Sequence, residues 1–253
     1  MTIKRSDKLL EIVNQKQKIA VNELSEMLNV SKVTIRKDLS DLEKKGLLVR
    51  KHGYAIINDP TKLNYRMAQN YDVKQQIAQV AANLVSDQET IMVESGSTCA
   101  LLVQELGKQQ KHVTVITNSY FIADFVSDHP NITVFVLGGK YQAESEVVVG
   151  PIAKNVLANF HVDKLFIGMD GFDPQQGFFG RDIMRADIVE AMAQNANKLI
   201  ILSDSSKFGK ASLIKLADFA QTKMVITDDD IPISVRRILQ DKKIDLREVK
   251  HLS

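Results

Sequence analysis

Polar residues that could bind an anionic small molecule recur in five short segments, each placed directly after an apolar run. The first is Glu94-Ser95-Gly96-Ser97-Thr98, in which a glycine flanked by hydroxyl side chains opens a predicted helix. Free N–H groups, a positive helix-dipole end and hydroxyl donors together suit a phosphate group. The other four segments contain Asn118-Ser119, Gly138-Gly139-Lys140, Asp170 and Lys207. The set therefore combines groups that could donate hydrogen bonds to a phosphate with carboxylates that could bind sugar hydroxyls.

The fold class predicted from the sequence would bring these segments together. Short apolar runs alternate with amphipathic helical segments, which is typical of an α/β fold whose mostly parallel sheet is covered by helices on both faces. Ligands bind such sheets beyond the carboxyl ends of the strands. The predicted strands are 90–93, 113–117, 132–137, 164–168, 198–202 and 223–227, and the predicted helices between them include 100–106, 122–126 and 187–196.

Each polar segment on its own also has an ordinary structural explanation. Glycine and hydroxyl residues are common in turns, and Asp is a common helix cap. The prediction of a ligand site depends on five such segments lying at one edge of the sheet. The alternative is a scaffold whose body only dimerises, in which case the polar loops would be indifferent to mutation.

A small winged helix-turn-helix is predicted at the N-terminus. Three short helical patterns come first, and Asn29-Val30-Ser31 connects the second to the third with Ser31 as its N-cap. The third helix has a buried stripe of Ile35, Leu39 and Leu42, and Gly46 is predicted to end it. A β-hairpin around His52-Gly53 follows, which completes the motif.

The exposed face of the third helix and the hairpin carry residue types that suit DNA. Arg and Lys reach guanine acceptors or phosphates, and hydroxyl groups bond phosphate oxygens. The first 51 residues hold twelve Lys and Arg against seven Asp and Glu, as expected of a segment that meets a polyanion. The alternative is a protein-docking module with a solvated basic surface. The candidate DNA-binding residues are Ser31, Lys32, Thr34, Arg36, Lys37, Ser40, Arg50, Lys51 and His52.

Composition and domain organisation agree with a globular intracellular protein. Hydrophobic residues make up 44% of the chain and charged residues 25%, and no apolar run approaches the ~20 residues of a membrane helix. The single cysteine and the scattered histidines give no disulfide, metal site or cofactor site. The predicted domains are 1–58 and 75–253, joined by a linker at 59–74 with a turn at 58–61. A cytoplasmic location is expected.

The chain closely resembles the DeoR family of bacterial regulators in its DNA-binding signature. That signature comprises Ser31-Lys32-Val33-Thr34-Ile35-Arg36-Lys37-Asp38-Leu39, then Leu42-Glu43-Lys44-Lys45-Gly46 and Arg50-Lys51-His52-Gly53. The family usually has a second glycine where this chain has Tyr54, a difference that bears on the wing tip because glycine tolerates positive φ. Segments 95–98, 117–119, 137–139 and 204–209 look like the family's sensor domain, which is itself similar to ribose-5-phosphate isomerase.

The resemblance implies a repressor of a carbohydrate-catabolism operon that a phosphorylated sugar releases from double-stranded operator DNA. Glu94 stands where the family usually has Asp, so its carboxylate is placed differently toward a sugar. The expected assembly is a homo-oligomer that places two recognition helices on a repeated or palindromic site.

An active sugar-phosphate isomerase with an appended DNA-binding head is the alternative from another class. Asp170-Gly171-Phe172-Asp173 partly matches an isomerase segment, and Lys207 matches an isomerase lysine. However, Pro174 replaces the isomerases' glutamate, and 175–180 lacks their lysine and glycine run. Asp170 and Lys207 are therefore interpreted as ligand contacts, and no catalytic residue is predicted.

Overall fold

A computed structural model describes residues 5–44, 47–57 and 63–250. These residues form two compact units, and the boundary between the units falls between Asp72 and Val73. The predicted helix end at Gly46 and the predicted turn at 58–61 lie outside the described residues. Each helix in the described ranges is either too short or too polar to cross a lipid bilayer.

The first unit is the predicted winged helix-turn-helix. Its small antiparallel sheet has the strand order β1-β3-β2. The sequence prediction missed β1, since a three-residue strand carries almost no alternation. The elements of this unit are α1 (Arg5–Lys16), β1 (Lys18–Ala20), α2 (Val21–Leu28), α3 (Lys32–Lys44), β2 (Leu48–Lys51), β3 (Tyr54–Ile57) and α4 (Leu63–Ala68).

The turn between α2 and α3 fixes the orientation of the recognition helix. Asn29 ends α2 in the left-handed conformation, with φ of 51°, which asparagine tolerates better than most residues. Ser31 then caps α3, because its Oγ accepts a hydrogen bond from the N–H of Thr34 at 3.2 Å. Ile35 and Leu39 of α3 are fully buried, as predicted from their spacing.

The wing is a hairpin of β2 and β3 with a two-residue turn at its tip. His52 and Gly53 both have positive φ, 51° and 82°, which matches the twist of adjoining antiparallel strands. Tyr54 instead belongs to β3, where it pairs with Lys51. The departure from a second glycine at Tyr54 therefore leaves the tip unaffected, since positive φ falls on the two residues before it.

The segment predicted as a linker is mostly helical where the structure describes it, with a turn at Gln69 and Asn70. Residues 63–68 form α4, and α5 already begins at Tyr71. Leu63 and Met67 are fully buried, and the side-chain amide of Asn14 donates a hydrogen bond to the carbonyl of Ala68 at 3.0 Å. This part of the chain is therefore packed rather than extended.

The second unit is built around a parallel sheet of seven strands in the order β15-β14-β12-β9-β4-β5-β6, as far as residues 73–250 show. The prediction of a mostly parallel sheet is confirmed. The elements are α5 (Tyr71–Ala82), β4 (Thr90–Val93), α6 (Ser97–Lys108), β5 (Val113–Thr117), α7 (Tyr120–Phe125), β6 (Ile132–Val136), β7 (Lys140–Gln142), β8 (Val147–Val149), α8 (Pro151–Leu157), β9 (Val162–Ile167), β10 (Gly171–Asp173), β11 (Gly177–Gly180), α9 (Ile183–Gln194), β12 (Ala196–Leu202), the 3₁₀ turn Ser205–Lys207, β13 (Ile214–Ala217), β14 (Thr222–Asp228), α10 (Ile233–Asp241) and β15 (Asp245–Val249).

The strand order reverses at the centre of the sheet, between β4 and β9. From β4 the chain proceeds to β5 and β6 on one side, and from β9 it proceeds to β12, β14 and β15 on the other. Right-handed crossovers in opposite directions place helices on opposite faces. Both faces of the central strand β4 are accordingly buried, with Ile91, Met92 and Val93 fully inaccessible. A crevice at such a reversal point is the usual ligand site of an open parallel sheet.

Candidate DNA-binding surface and effector site

The exposed face of α3 presents the basic side chains that the sequence singled out. Lys32, Arg36 and Lys37 are exposed, whereas Thr34 and Ser40 are half-buried. The hydroxyl groups of Ser31 and Thr34 lie 2.9 Å apart, within hydrogen-bond distance, and the Ser31 hydroxyl also caps the helix. The three basic residues therefore form the surface that can meet a polyanion, and the hydroxyl pair fixes the start of the helix.

Arg50 of the wing is bound to the recognition helix. Its Nε donates to Glu43 Oε2 at 2.7 Å, its backbone N–H donates to Glu43 Oε1 at 2.8 Å, and its Nη1 donates to the carbonyl oxygen of Arg36 at 3.3 Å. Hydrogen bonds from the Arg50 backbone and side chain lower the pKa of Glu43. Arg50 thus braces the wing against α3, while Lys51 and His52 are exposed at its tip.

A second ion pair fixes the opposite side of α3. Arg5 of α1 donates from Nε to Asp38 Oδ2 at 2.6 Å and from Nη2 to Oδ1 at 3.1 Å. The side-chain hydrogen bond and the charge of Asp38 raise the pKa of Arg5. This contact could not be predicted from the sequence, since its partners are 33 positions apart along the chain.

The carboxyl edge of the sheet gathers the five polar segments of the second unit. Because all seven strands run parallel, the residues that follow β4, β5, β6, β9 and β12 all emerge at that edge. The predicted effector residues on it are Glu94, Ser95, Gly96, Ser97, Thr98, Asn118, Ser119, Gly138, Gly139, Lys140, Asp170 and Lys207. The segments after β4 and β9 lie beside the reversal point, the position that favours a ligand.

Glu94, directly after β4, forms a buried ion pair with Arg185 of α9. Arg185 donates from Nη2 to both carboxylate oxygens at 2.8 and 3.0 Å and from Nε at 3.0 Å, and the hydroxyl of Ser95 donates to Oε1 at 3.2 Å. Burial acts to lower the pKa of Arg185, but the charge and hydrogen bonds of Glu94, together with the charges of Asp170 and Asp182, outweigh it and the pKa is raised. The Glu94 carboxylate therefore has a protein partner, which sequence reasoning missed.

The N-terminus of α6 has the features of an anion site. Gly96 is its N-cap, with φ of 153° and no side chain to occupy the cap position. The first N–H groups of any α-helix lack intrahelical acceptors, and the dipole makes that end positive. Ser97 and Thr98, the first two residues of the helix, carry hydroxyl groups; Ser97 is half-buried and Thr98 is buried.

Asp204 and Lys207 lie in a compact turn after β12. Asp204 accepts hydrogen bonds from the N–H and the hydroxyl of Ser206, and its carboxylate lies 4.0 Å from the ammonium of Lys74, a buried residue of α5. Partial burial lowers the pKa of Lys207, although the charge of Asp204 opposes the shift. Lys207 is thus held close to acidic residues and away from full hydration.

Two further carboxylates lie at the carboxyl edge of the sheet. Asp170, after β9, lies 3.7 Å from the guanidinium of Arg181, which is 71% exposed. Asp228, at the end of β14, is fully buried and accepts a hydrogen bond from the N–H of Ser205 at 2.7 Å. Neither Arg181 nor Asp228 was predicted as a site residue from the sequence, because each becomes relevant only through the partner that the fold brings to it.

The segments after β5 and β6 show a mixed set of roles. Asn118 is buried, and its side-chain oxygen has no hydrogen-bond partner among the described residues. Ser119 caps α7 by accepting from the N–H of Ile122 at 3.2 Å. Gly139 has φ of 150°, and a Cβ there would lie 2.8 Å from the carbonyl oxygen of Val149, so this position requires glycine for steric reasons. Gly138 and Lys140 are exposed.

Comparisons with known proteins agree with both halves of this description. Residues 5–61 match the DeoR-like helix-turn-helix domain, and residues 69–229 match the DeoR C terminal sensor domain. The chain is 32% identical over 247 residues to the HTH-type transcriptional regulator GolR of Listeria innocua, covering 96% of this chain and 97% of the relative. Ribose 5-phosphate isomerase A of Methanocaldococcus jannaschii shares 23% identity over 55% of each chain with a TM-score of 0.42, a likeness too partial to bear on function.

Two further relatives are named for sugar operons. The putative aga operon transcriptional repressor of Escherichia coli O157:H7 is 31% identical, covering 91% of this chain and 88% of the relative. The L-fucose operon activator of Haemophilus influenzae is 31% identical, covering 95% and 97%. A matched DNA-binding domain, a matched sensor domain and full-length relatives lead to one conclusion: the chain belongs to the DeoR family of DNA-binding transcriptional regulators.

Proposed function

We propose that the protein represses a carbohydrate-catabolism operon and that a phosphorylated sugar, bound at the carboxyl edge of the sheet, releases it from DNA. The observation that carries the proposal is the side-chain-free N-cap of α6 on the same edge as Lys207 and Asp170. A helix N-terminus and an ammonium group favour a phosphate, and a carboxylate accepts hydrogen bonds from sugar hydroxyls.

Residue roles follow from the surroundings of each group. Ser97 and Thr98 open α6, whose free N–H groups would bind the phosphate, and Ser95 lies just before the N-cap with its hydroxyl on Glu94. Lys207 is half-buried with a lowered pKa, so a phosphate dianion would stabilise its charged form. Because the carboxylate of Glu94 is already bound to Arg185, we assign it the role of positioning the loop before α6 rather than of binding the sugar directly.

The DNA-binding half of the proposal requires two recognition helices. A repeated or palindromic operator would place two copies of α3 in successive major grooves, so the active form is a homo-oligomer. Effector binding then weakens operator affinity through the difference between two conformations, typically by 5- to 150-fold.

The decisive experiment is thermal unfolding with a panel of sugar phosphates and their unphosphorylated parent sugars. One phosphorylated sugar should raise the unfolding midpoint of the wild type by mass action, and its parent sugar should not. Lys207→Ala should lose the shift. Lys223→Ala is the matched control, because Lys223 is exposed near the start of β14, at the opposite edge of the sheet, and should keep the shift. An unchanged shift in Lys207→Ala would contradict the proposed site.

The sign of regulation is tested separately with a reporter fused to the operator. Repression predicts higher reporter expression when the gene for the regulator is deleted. Lower expression would instead indicate activation, and one relative is named as an activator.

A separate assay tests for enzyme activity. The stabilising sugar phosphate is incubated with the protein and examined for isomerisation. Product formation at a steady rate would overturn the assignment of Asp170 and Lys207 as binding residues.

A further inference from the structure

Val33, the second residue of α3, has the most exposed large hydrophobic side chain in the described part of the first unit. It is 74% exposed, compared with 51% for Met27 and 40% for Tyr54. The core of the unit takes Ile35 and Leu39 from the same helix, and Val33 contributes nothing to it. A β-branched residue also has a lower helix propensity than alanine. Nothing in the folded head therefore accounts for a valine at this position.

The neighbours of Val33 identify the surface on which it lies. Arg36 and Lys37 follow at i+3 and i+4 and are therefore on the same face of the helix, and Lys32 precedes it. All three are exposed cations, so the valine lies within a positive patch complementary to DNA. The N-terminal residues of a recognition helix are those that reach base edges in the major groove.

We propose that Val33 contacts the C5-methyl group of a thymine in the major groove and thereby selects that base. This methyl is the apolar group that base pairs present in this groove, and the other base-edge groups there are hydrogen-bond donors and acceptors. Contact removes the valine methyls and the thymine methyl from water together, which is favourable, whereas a cytosine has only a hydrogen at C5 and a polar amino group beside it.

The position of the thymine relative to the base read by Arg36 follows from helix geometry. Side chains at i and i+3 have Cβ atoms about 5–6 Å apart, and successive base pairs are about 3.4 Å apart along the DNA. If Arg36 binds a guanine through its two acceptors, the thymine contacted by Val33 lies one or two base pairs away. Capping by Ser31 and the bond from Arg50 to the Arg36 carbonyl hold both side chains in this register.

The test uses an operator duplex selected from a random library by the full-length wild-type protein. Each thymine is replaced singly by deoxyuridine, which pairs identically but lacks the methyl group. Wild-type affinity should fall about fourfold at one thymine per half-site, equivalent to the ~0.8 kcal/mol of one buried methyl-sized group. Val33→Ala should bind the two duplexes equally. Met27→Ala, which removes an exposed apolar side chain from α2, should discriminate as the wild type does.

The design separates loss of readout from loss of folding. Alanine is a better helix former than valine, so Val33→Ala should keep its helical circular dichroism and its affinity for the deoxyuridine duplex. Replacing guanines by 7-deazaguanine, which lacks the N7 acceptor, locates the base read by Arg36 in the same duplex. Full thymine discrimination by Val33→Ala, no methyl-sensitive thymine in the wild type, or a sensitive thymine more than two base pairs from that guanine would each overturn the assignment.

Discussion

The two units of the chain use charged residues in opposite ways. In the head, Arg50 and Glu43 pair at the surface, with side chains 35% and 34% exposed, and the cations of α3 remain hydrated. In the sensor, Arg185 and Glu94 pair inside the protein, with side chains 16% and 1% exposed. Binding to DNA replaces counterions around a polyanion of fixed shape, whereas binding to a small ligand needs groups held in one geometry. Substitution of charged residues in the head should therefore change mainly the affinity for DNA, whereas substitution of the buried pair in the sensor should change mainly the free energy of unfolding.

The largest expected effect follows from breaking the buried pair. Arg185→Met leaves the Glu94 carboxylate buried without its partner, which should lower the free energy of unfolding of the sensor by about 3–5 kcal/mol. Arg50→Met breaks the surface pair and should cost about 0–1 kcal/mol. Chemical denaturation followed by circular dichroism measures both.

The double variant Glu94→Gln with Arg185→Met serves as the control for that comparison. It removes both charges, so it should be more stable than Arg185→Met alone. If the two variants were equally unstable, packing of Arg185 rather than the isolated charge of Glu94 would be responsible.

Operator affinity should be lost without loss of stability when a head cation is removed. Arg36→Ala should weaken binding by about 1–3 kcal/mol per half-site, the value of one bidentate base contact. The thermal midpoint of the sensor should stay unchanged. Fluorescence anisotropy at several salt concentrations measures the effect, and retained affinity would show that α3 is not the recognition helix.

Effector affinity should depend on pH through Lys207. Its pKa is lowered, so the ammonium loses its proton at lower pH than an ordinary lysine, and affinity for a sugar phosphate should fall as pH rises through that pKa. The expected loss is about 1.5 kcal/mol, the lower limit for a hydrogen bond to a charged group. Lys207→Arg keeps the charge and should remove the dependence in calorimetric titrations. If the affinity of Lys207→Arg fell in the same way as pH rises, the pH dependence would come from another group.

The smallest effect distinguishes bracing from direct contact at Arg50. If Arg50 acts by holding the wing on α3, Arg50→Ala and Glu43→Ala should each weaken operator binding by about 1 kcal/mol, and the double variant should be no worse than either. If Arg50 instead bound phosphate directly, Glu43→Ala would raise affinity by removing a nearby negative charge. Gel shifts with one operator duplex decide between them.

The sequence was sufficient to predict those parts of the fold that carry a strong periodic signal. The strands at 90–93 and 113–117 have the predicted bounds because apolar and β-branched runs end abruptly at polar residues. β15, at Asp245–Val249, was missed because most of this edge strand is exposed and polar. The antiparallel sheet of β10, β11 and β13 was missed because its strands have only three or four residues each and because β11 pairs with β13 across 34–39 positions of sequence.

The candidate site divides in a similar way. The loops after the strands were predictable, because a parallel sheet places every carboxyl end at one edge. Their partners were not, because Arg185 lies on α9 and reaches Glu94 across 91 positions of sequence. Only the fold reveals that this carboxylate is already bound.

The reversal of strand order at the centre of the sheet also bears on the order of folding. The central neighbours β4 and β9 pair Met92 with Leu165, so the middle of the sheet cannot close until the chain has been synthesised well past its midpoint. The head pairs strands that are closer along the chain, Lys51 with Tyr54 in the wing and Lys18 with Ile56 between β1 and β3, and more local contacts form more quickly. During translation we therefore expect the DNA-binding unit to fold first, while β4, β5 and β6 await β9 with apolar surface exposed to chaperones and to aggregation.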